Sequence, residues 1–169
     1  FSDSDMYAAV TTYQPSGVYD EFVMFASGGH SGQVFAIGLP SMRLLRTIAV
    51  FTPEPWQGYG FGTGEEVLAG GNVDGREVHW GDTHHPALSE TEGQYDGQWL
   101  FINEKANGRV AVIDLRDFET KQILNNPLYL NDHALFVTPS TDYVIQGGQY
   151  GMPFGDGYSP LDNYETDYT

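Results

Sequence analysis

The chain has 169 residues, 40% apolar and 14% aromatic, which suits one domain with its own core and is not a disordered composition. Seven basic residues stand against 23 acidic ones, a formal net charge of -16, so no basic patch is available to neutralise nucleic-acid phosphates or an anionic membrane. There is no cysteine, which excludes disulfides, thiolate metal sites and cysteine nucleophiles, and no apolar run approaches the ~18 residues of a membrane-spanning helix.

In chain order, Glu21 to Ser27 reads as a strand. It is followed by Gly32-Gln-Val-Phe-Ala-Ile-Gly-Leu39 and then, after a short turn, by a third strand over Leu44 to Phe51. The same unit returns further on, with strands over Gln98 to Asn103, Gly108-Arg-Val-Ala-Val-Ile-Asp-Leu115 and Thr120 to Leu124. Gly32 and Gly108, Val34 and Val110, Ile37 and Ile113, and Leu39 and Leu115 coincide at one offset of 76 residues. Trp99-Leu-Phe-Ile102 is continuously apolar, the mark of a strand buried on both faces. The Asp-Gly pair in Tyr95-Asp-Gly97 is expected to open one hairpin, and Ser140-Thr-Asp142 a similar one. Helical spacing is nearly absent; the stretches Pro40 to Leu45 and Arg116 to Phe118 fit turns better.

Repeated strand meanders predict an all-β chain built from blades of a β-propeller. The 76-residue offset exceeds the ~40–50 residues of familiar blades. The excess falls in the Gly-, Pro- and Trp-rich segment 52–94, read as a long inserted loop, although a degraded blade would look similar. Residues 1–155 are thus expected to form a partial propeller of two to three blades, and 156–169 an acidic extension. A ring needs at least about four blades, so the sequence reads as a fragment or as a chain that associates to complete the ring.

Five histidines are present: His30, His79, His84, His85 and His133. His85 and His133 each fall just before an apolar strand, Pro86-Ala-Leu-Ser89 and Ala134-Leu-Phe-Val137, at matching points of successive units. The first strand of a propeller blade lines the central channel, so equivalent residues of different blades converge on the axis. Imidazoles brought together in this way can share an ion without any local chelating motif. An all-nitrogen donor set without cysteine favours copper or zinc. Asp82, two residues before His84, is placed to hold an imidazole N–H from outside the ligand set. His79 reads as a loop residue, and Trp56, Trp80 and Trp99 as packing residues. Lys105 and Arg109 are expected to brace the loop between strands.

The strings Gly81-Asp-Thr-His-His-Pro-Ala-Leu-Ser89 and Trp99-Leu-Phe-Ile-Asn-Glu-Lys-Ala-Asn-Gly-Arg-Val-Ala111 resemble the N-terminal propeller of the nitrous oxide reductase family. Ser27-Gly-Gly-His-Ser-Gly-Gln-Val34, Leu39-Pro-Ser-Met-Arg43, Asn131-Asp-His133 and Tyr143-Val-Ile145 extend the resemblance in order, over roughly Tyr19 to Pro153. Details such as Thr83 and Ala87-Leu-Ser89 are closer to the less-studied branch of that family. One departure is Ala134, where the family has glycine. The resemblance implies a periplasmic homodimer with a seven-bladed propeller and a C-terminal cupredoxin domain. It implies a tetranuclear copper–sulfide cluster with His84, His85 and His133 among its ligands, and Asp82 and His30 near the cluster without binding it. A dinuclear copper site and calcium are expected only in the remainder of such a protein. The implied reaction is reduction of nitrous oxide to dinitrogen and water in denitrification. The electron donor would be a protein such as a cytochrome c or a cupredoxin, with no nucleic-acid partner and no membrane span.

Two other classes of function fit parts of the sequence. A non-catalytic propeller acting as a protein-binding platform would use the acidic surface, with incidental histidines. A hydrolase or lyase using a single divalent metal would need carboxylates at the axis, for which Asp82 and Asp132 are the candidates.

Overall fold

The computed structural model describes residues 1–52, 54–56, 71–73, 76–78, 81–125 and 132–148. Apart from one short helix, their regular structure is antiparallel strand, as the sequence predicts. The first sheet runs β1 (Phe22–Ser27), β2 (Gln33–Leu39), β3 (Leu44–Ala49) in chain order. A short hairpin follows, β4 (Gly71–Val73) with β5 (Arg76–Val78). The second sheet has four strands, also in chain order: β6 (Thr83–Thr91), β7 (Gln94–Glu104), β8 (Arg109–Asp114) and β9 (Glu119–Asn125). A second hairpin pairs β10 (Ala134–Val137) with β11 (Val144–Gly147).

The sequence repeat is a repeat of backbone as well. Gly32 and Gly108 both enter their strands at positive φ, 67° and 64°, where glycine has no steric penalty. Met42 and Phe118 both sit at φ 59° in the turn that follows. The register slips between Ala36 and Ile37 in the first sheet and between Val112 and Ile113 in the second, at the same offset. So β1 to β3 correspond to β7 to β9, and β6 is the added strand.

One polar device is conserved in place but not in origin. Asp114 accepts from the Arg116 backbone N–H at 2.9 Å and from its guanidinium at 2.8 and 2.5 Å, closing the β8–β9 turn. Its counterpart in the first sheet is Gly38, which has no side chain to offer. A Cβ there would collide with the carboxylate of Asp20. Asp20 accepts from Ser41 N–H at 3.0 Å, Ser41 hydroxyl at 2.7 Å and Arg43 at 3.1 Å. A carboxylate from another segment thus fills the position that Asp114 fills with its own side chain.

The sheets stack face to face. β1 lies against β6, β3 against β9, and β10 against β6 and β7. Between the first and second sheets Val34, Ile48, Val50 and Phe51 meet Leu100, Ile102, Ala111 and Ile113. On the opposite face Phe101 and Val110 pack on Leu135, flanked by Trp99, Val112 and Val137. The alternate residues of β7 and β8 therefore enter two different cores. This is why Trp99 to Ile102 is apolar throughout, and why Ala111 and Ile113 interrupt the simple alternation of Val110 and Val112. Stacked antiparallel sheets with adjacent inner strands are the arrangement of propeller blades.

Several expectations are corrected. The helix α1 (Asp3–Thr12) was not expected; its N-cap Ser2 forms a capping box with Asp5, yet none of its residues is buried. The β6–β7 turn lies at Glu92–Gly93, both at positive φ (53° and 74°), rather than at Asp96–Gly97. Asp96–Gly97 instead belongs to an irregularity within β7, where Ser89 alone faces residues 96–99 and Asp96 accepts from the Ser89 and Thr91 hydroxyls. The 52–94 stretch is not one loop, since it contains β4, β5 and β6. His79, Trp80 and the extension 156–169 lie outside the described residues. No described helix is long and apolar enough to cross a membrane.

Two measurements test this packing. Ile102 is wholly buried between the first two sheets, so Ile102→Ala should cost about 2–5 kcal/mol in denaturant unfolding, whereas the exposed Lys121→Ala should change stability by less than about 0.5 kcal/mol. Arg116 holds the Asp114 carboxyl down to about 2, well below its value of about 3.9 in an unfolded chain. A depressed carboxylate stabilises the fold above its unfolded pKa and loses that contribution as pH falls through its folded pKa. Wild type should therefore lose more stability than Arg116→Ala between about pH 4 and pH 2.

Candidate metal centre

Consecutive residues of a regular strand point to opposite faces of the sheet. His84 and His85 are consecutive in β6, yet their ring centroids are only 4.4 Å apart. The register explains this. Thr83 pairs with Glu104 and Pro86 with Ile102, so His84 and His85 together face the single residue Asn103. This is a β-bulge, a device that breaks the ladder locally and re-aims a side chain. It turns both imidazoles toward one site.

The third ring arrives from the next unit. His133 immediately precedes β10, and its N–H donates to Gly147 O at 2.9 Å. Leu135 of β10 packs on Phe101 and Val110, fixing β10 against the four-stranded sheet. As a result the His133 ring lies 4.7 Å from His84 and 5.0 Å from His85. One nitrogen from each of the three rings lies within 4.8 Å of the others.

The approach to the pair is fixed from below. Thr83 is fully buried; its N–H donates to Gly29 O at 3.1 Å, and its hydroxyl lies 2.9 Å from Gln33 O. Lys105 N–H donates to Asp82 O at 3.0 Å. Gly81 packs so closely on the Phe51 side chain that a Cβ would collide with it. Beside this turn the buried Glu104 accepts from Arg109 and Asn107, and the Arg109 guanidinium lies 4.8 Å above the Phe51 ring.

Electrostatics keep the central ring neutral. Burial pushes the His84 pKa down, and His85 and His133 push it further, while the Asp82 carboxylate pulls it partly back. Its Nε2 is buried with no hydrogen-bond partner. Asp132, wholly buried beside His133, also has both carboxylate oxygens unpartnered, and burial raises its pKa to about 6. The Asn103 and Gln146 amides oppose that rise without reaching hydrogen-bond geometry with the carboxylate.

The structure brings together His84, His85 and His133. Asp82 acts on His84 through its charge, and among the described residues no hydrogen bond joins its carboxylate to an imidazole. His30 is exposed in the β1–β2 turn and stands outside the group, although the neighbouring Gly29 bridges to Thr83 and borders Asp82. Arg109 braces the turn through its charge on Glu104, as expected, whereas Lys105 enters it through its backbone N–H. Trp99 packs in the second core, whereas Trp56 is 54% exposed. Asn103 is the residue that sequence reasoning missed. Its Oδ1 accepts from His85 N–H at 2.5 Å and its Nδ2 donates to Asp132 O at 3.1 Å. The available signal was a polar residue continuing the inward phase of Trp99 and Phe101.

Three imidazoles with ring nitrogens within 4.8 Å of one another, one ring carrying a buried and unpartnered nitrogen, fit a soft or borderline metal. An ion bound at about 2.0 Å to each nitrogen would need them within about 4 Å of one another. The observed spread suits either a small ring rotation onto one ion or more than one ion.

The chain matches no protein-family model. It is similar to nitrous-oxide reductases. That of Pseudomonas fluorescens is 40% identical over 146 residues, covering 85% of this chain and 22% of the relative. That of Stutzerimonas stutzeri is 38% identical over 81% of this chain and 21% of the relative, and that of Ralstonia nicotianae 33% identical over 81% and 23%. The resemblance carried by the histidine strings thus extends over most of the chain, which spans only about a fifth of the length of these relatives.

The unpartnered Asp132 gives a test independent of any bound group. A carboxyl whose folded pKa is raised destabilises the fold progressively as pH climbs from its unfolded pKa to its folded one. In the metal-free protein, Asp132→Asn should remove a loss of stability between about pH 4 and pH 6, so its melting temperature should equal or exceed wild type at pH 7.

Proposed function

We propose that this chain, related over most of its length to nitrous-oxide reductases, forms part of a copper-dependent enzyme that reduces nitrous oxide to dinitrogen and water. The observation that carries this reading is the convergence of His84, His85 and His133 from two successive blades on one site. The reaction consumes two electrons and two protons, releasing one dinitrogen and one water. When bound, a copper–sulfide cluster would supply the redox chemistry and a metal that can hold an otherwise inert substrate.

The residues of this chain account for how such a group is held. His84 offers a nitrogen that needs no proton removed before it binds metal, because burial and its neighbours keep it neutral. The bulge at His84–His85 places two donors from one strand on the same side, and His133 supplies the third across the blade boundary. The Asp82 carboxylate adds negative charge beside these rings. On the same reading His30, next to the Gly29 that bridges to Thr83, belongs near the cluster without binding it. The remaining ligands, a calcium site and a cupredoxin domain with a dinuclear copper centre belong, on this reading, to other parts of a longer protein. That protein would be a periplasmic homodimer with a seven-bladed propeller, supplied with electrons by a cytochrome c or a cupredoxin.

Copper analysis of the full-length protein separates this reading from a protein-binding platform. The expected result is stoichiometric copper, intense visible absorption and nitrous oxide reduction, with His84→Ala, His85→Ala and His133→Ala each losing copper and at least about 100-fold in activity. A platform would bind no stoichiometric copper, and the three variants would then be silent.

A further inference from the structure

We infer that Asn103 is a positioning residue that sets the relative placement of the histidines from the two blades; the inference rests on the copper reading given above. A bulge leaves the bulged strand without its full set of ladder partners. Here the freed donor is the N–H of His85, and it ends on Asn103 Oδ1 at 2.5 Å. The other end of the same planar amide donates to Asp132 O at 3.1 Å, the carbonyl of the residue that precedes His133. Asn103 is wholly buried, so water does not compete for either bond.

The chemistry singles out an asparagine. One short side chain must present an acceptor to the His85 segment and a donor to the His133 segment, at a fixed angle. Aspartate lacks the donor, leucine lacks both groups, and serine is too short to span the two backbones. The backbone carrying Asn103 is itself rigid, because Phe101 and Ile102 next to it enter the two cores. The two units are also joined at the far end of β6, by the Thr141–Glu90 and Gly93–Pro139 hydrogen bonds, so the amide is the strut at the histidine end, where no described ladder hydrogen bond joins the ligand-bearing segments. Groups of this kind orient ligands without touching the metal.

The experiment is a Cu(I) titration against a chromophoric chelator, followed by visible and electron paramagnetic resonance spectra of the copper-loaded proteins after oxidation with ferricyanide, on full-length wild type, Asn103→Asp, Asn103→Leu and His85→Ala. Circular dichroism establishes that each variant is folded. Asn103→Leu is expected to bind Cu(I) about 10–100-fold more weakly, with a shifted copper spectrum. Asn103→Asp keeps the bond from His85 but loses the donor to Asp132 O, so it should fall between wild type and Asn103→Leu and also show a shifted spectrum. If Asn103→Leu does not fold, Asn103→Asp decides alone. A folded Asn103→Asp or Asn103→Leu with wild-type copper affinity and spectrum overturns the inference, provided His85→Ala loses copper in the same assay. Full copper loading in His85→Ala would overturn the copper reading itself.

Discussion

The pleat of a β-strand sends neighbouring side chains to opposite faces, and that constraint stands between this sequence and a shared site for His84 and His85. The chain meets it with one register slip. Between the pairs Thr83–Glu104 and Pro86–Ile102, two histidines oppose one asparagine, and both rings turn to the same side. Every other part of the centre depends on that slip being held. Thr83 anchors one side of it to the first sheet, Asn103 caps it, and Lys105 fixes the Asp82 carbonyl just before it.

The third histidine depends on a different kind of force. No hydrogen-bonded ladder ties β10 to β6, so the position of His133 is set by packing of Leu135 against Phe101 and Val110, by the Asn103 strut at the histidine end, and by the Thr141–Glu90 and Gly93–Pro139 hydrogen bonds at the far end. Dry cores are dense and resist sliding, which gives a hydrophobic contact the precision a ligand set requires. The doubly buried β7 and β8 form the stiff plate against which both neighbours are placed. The polar Glu104–Arg109–Asn107 group closes the end of that plate nearest the histidines.

Much of this was legible in the sequence. The repeated strands were, because a 76-residue offset preserved glycines and β-branched positions that the backbone needs at positive φ and in the cores. The grouping of His84, His85 and His133 was as well, through their equivalent places in successive units. The bulge was not legible, since the sequence shows His84 and His85 as neighbours without saying which partner residue they share. Asn103 shows in the sequence only as a polar residue in phase with Trp99 and Phe101; its role does not show, because both its bonds end on backbone atoms. The position of the β6–β7 turn is not legible, because the Asp-Gly signal at Asp96–Gly97 is used in a strand irregularity, while the less distinctive Glu92–Gly93 makes the reversal. Helix α1 leaves no hydrophobic pattern in the sequence because it buries no apolar face; the Ser2–Asp5 capping box marks its start.

A local break in β6 and a packed contact to the next blade bring three histidines to one site, which the function proposed above fills with copper. An anomalous-scattering map of the full-length protein, collected at the copper absorption edge, tests it directly. Copper density is expected within bonding distance of nitrogens on His84, His85 and His133, with His84 and His85 together facing Asn103. Copper density remote from these rings, or a regular β6 with the two histidines on opposite faces, would contradict it.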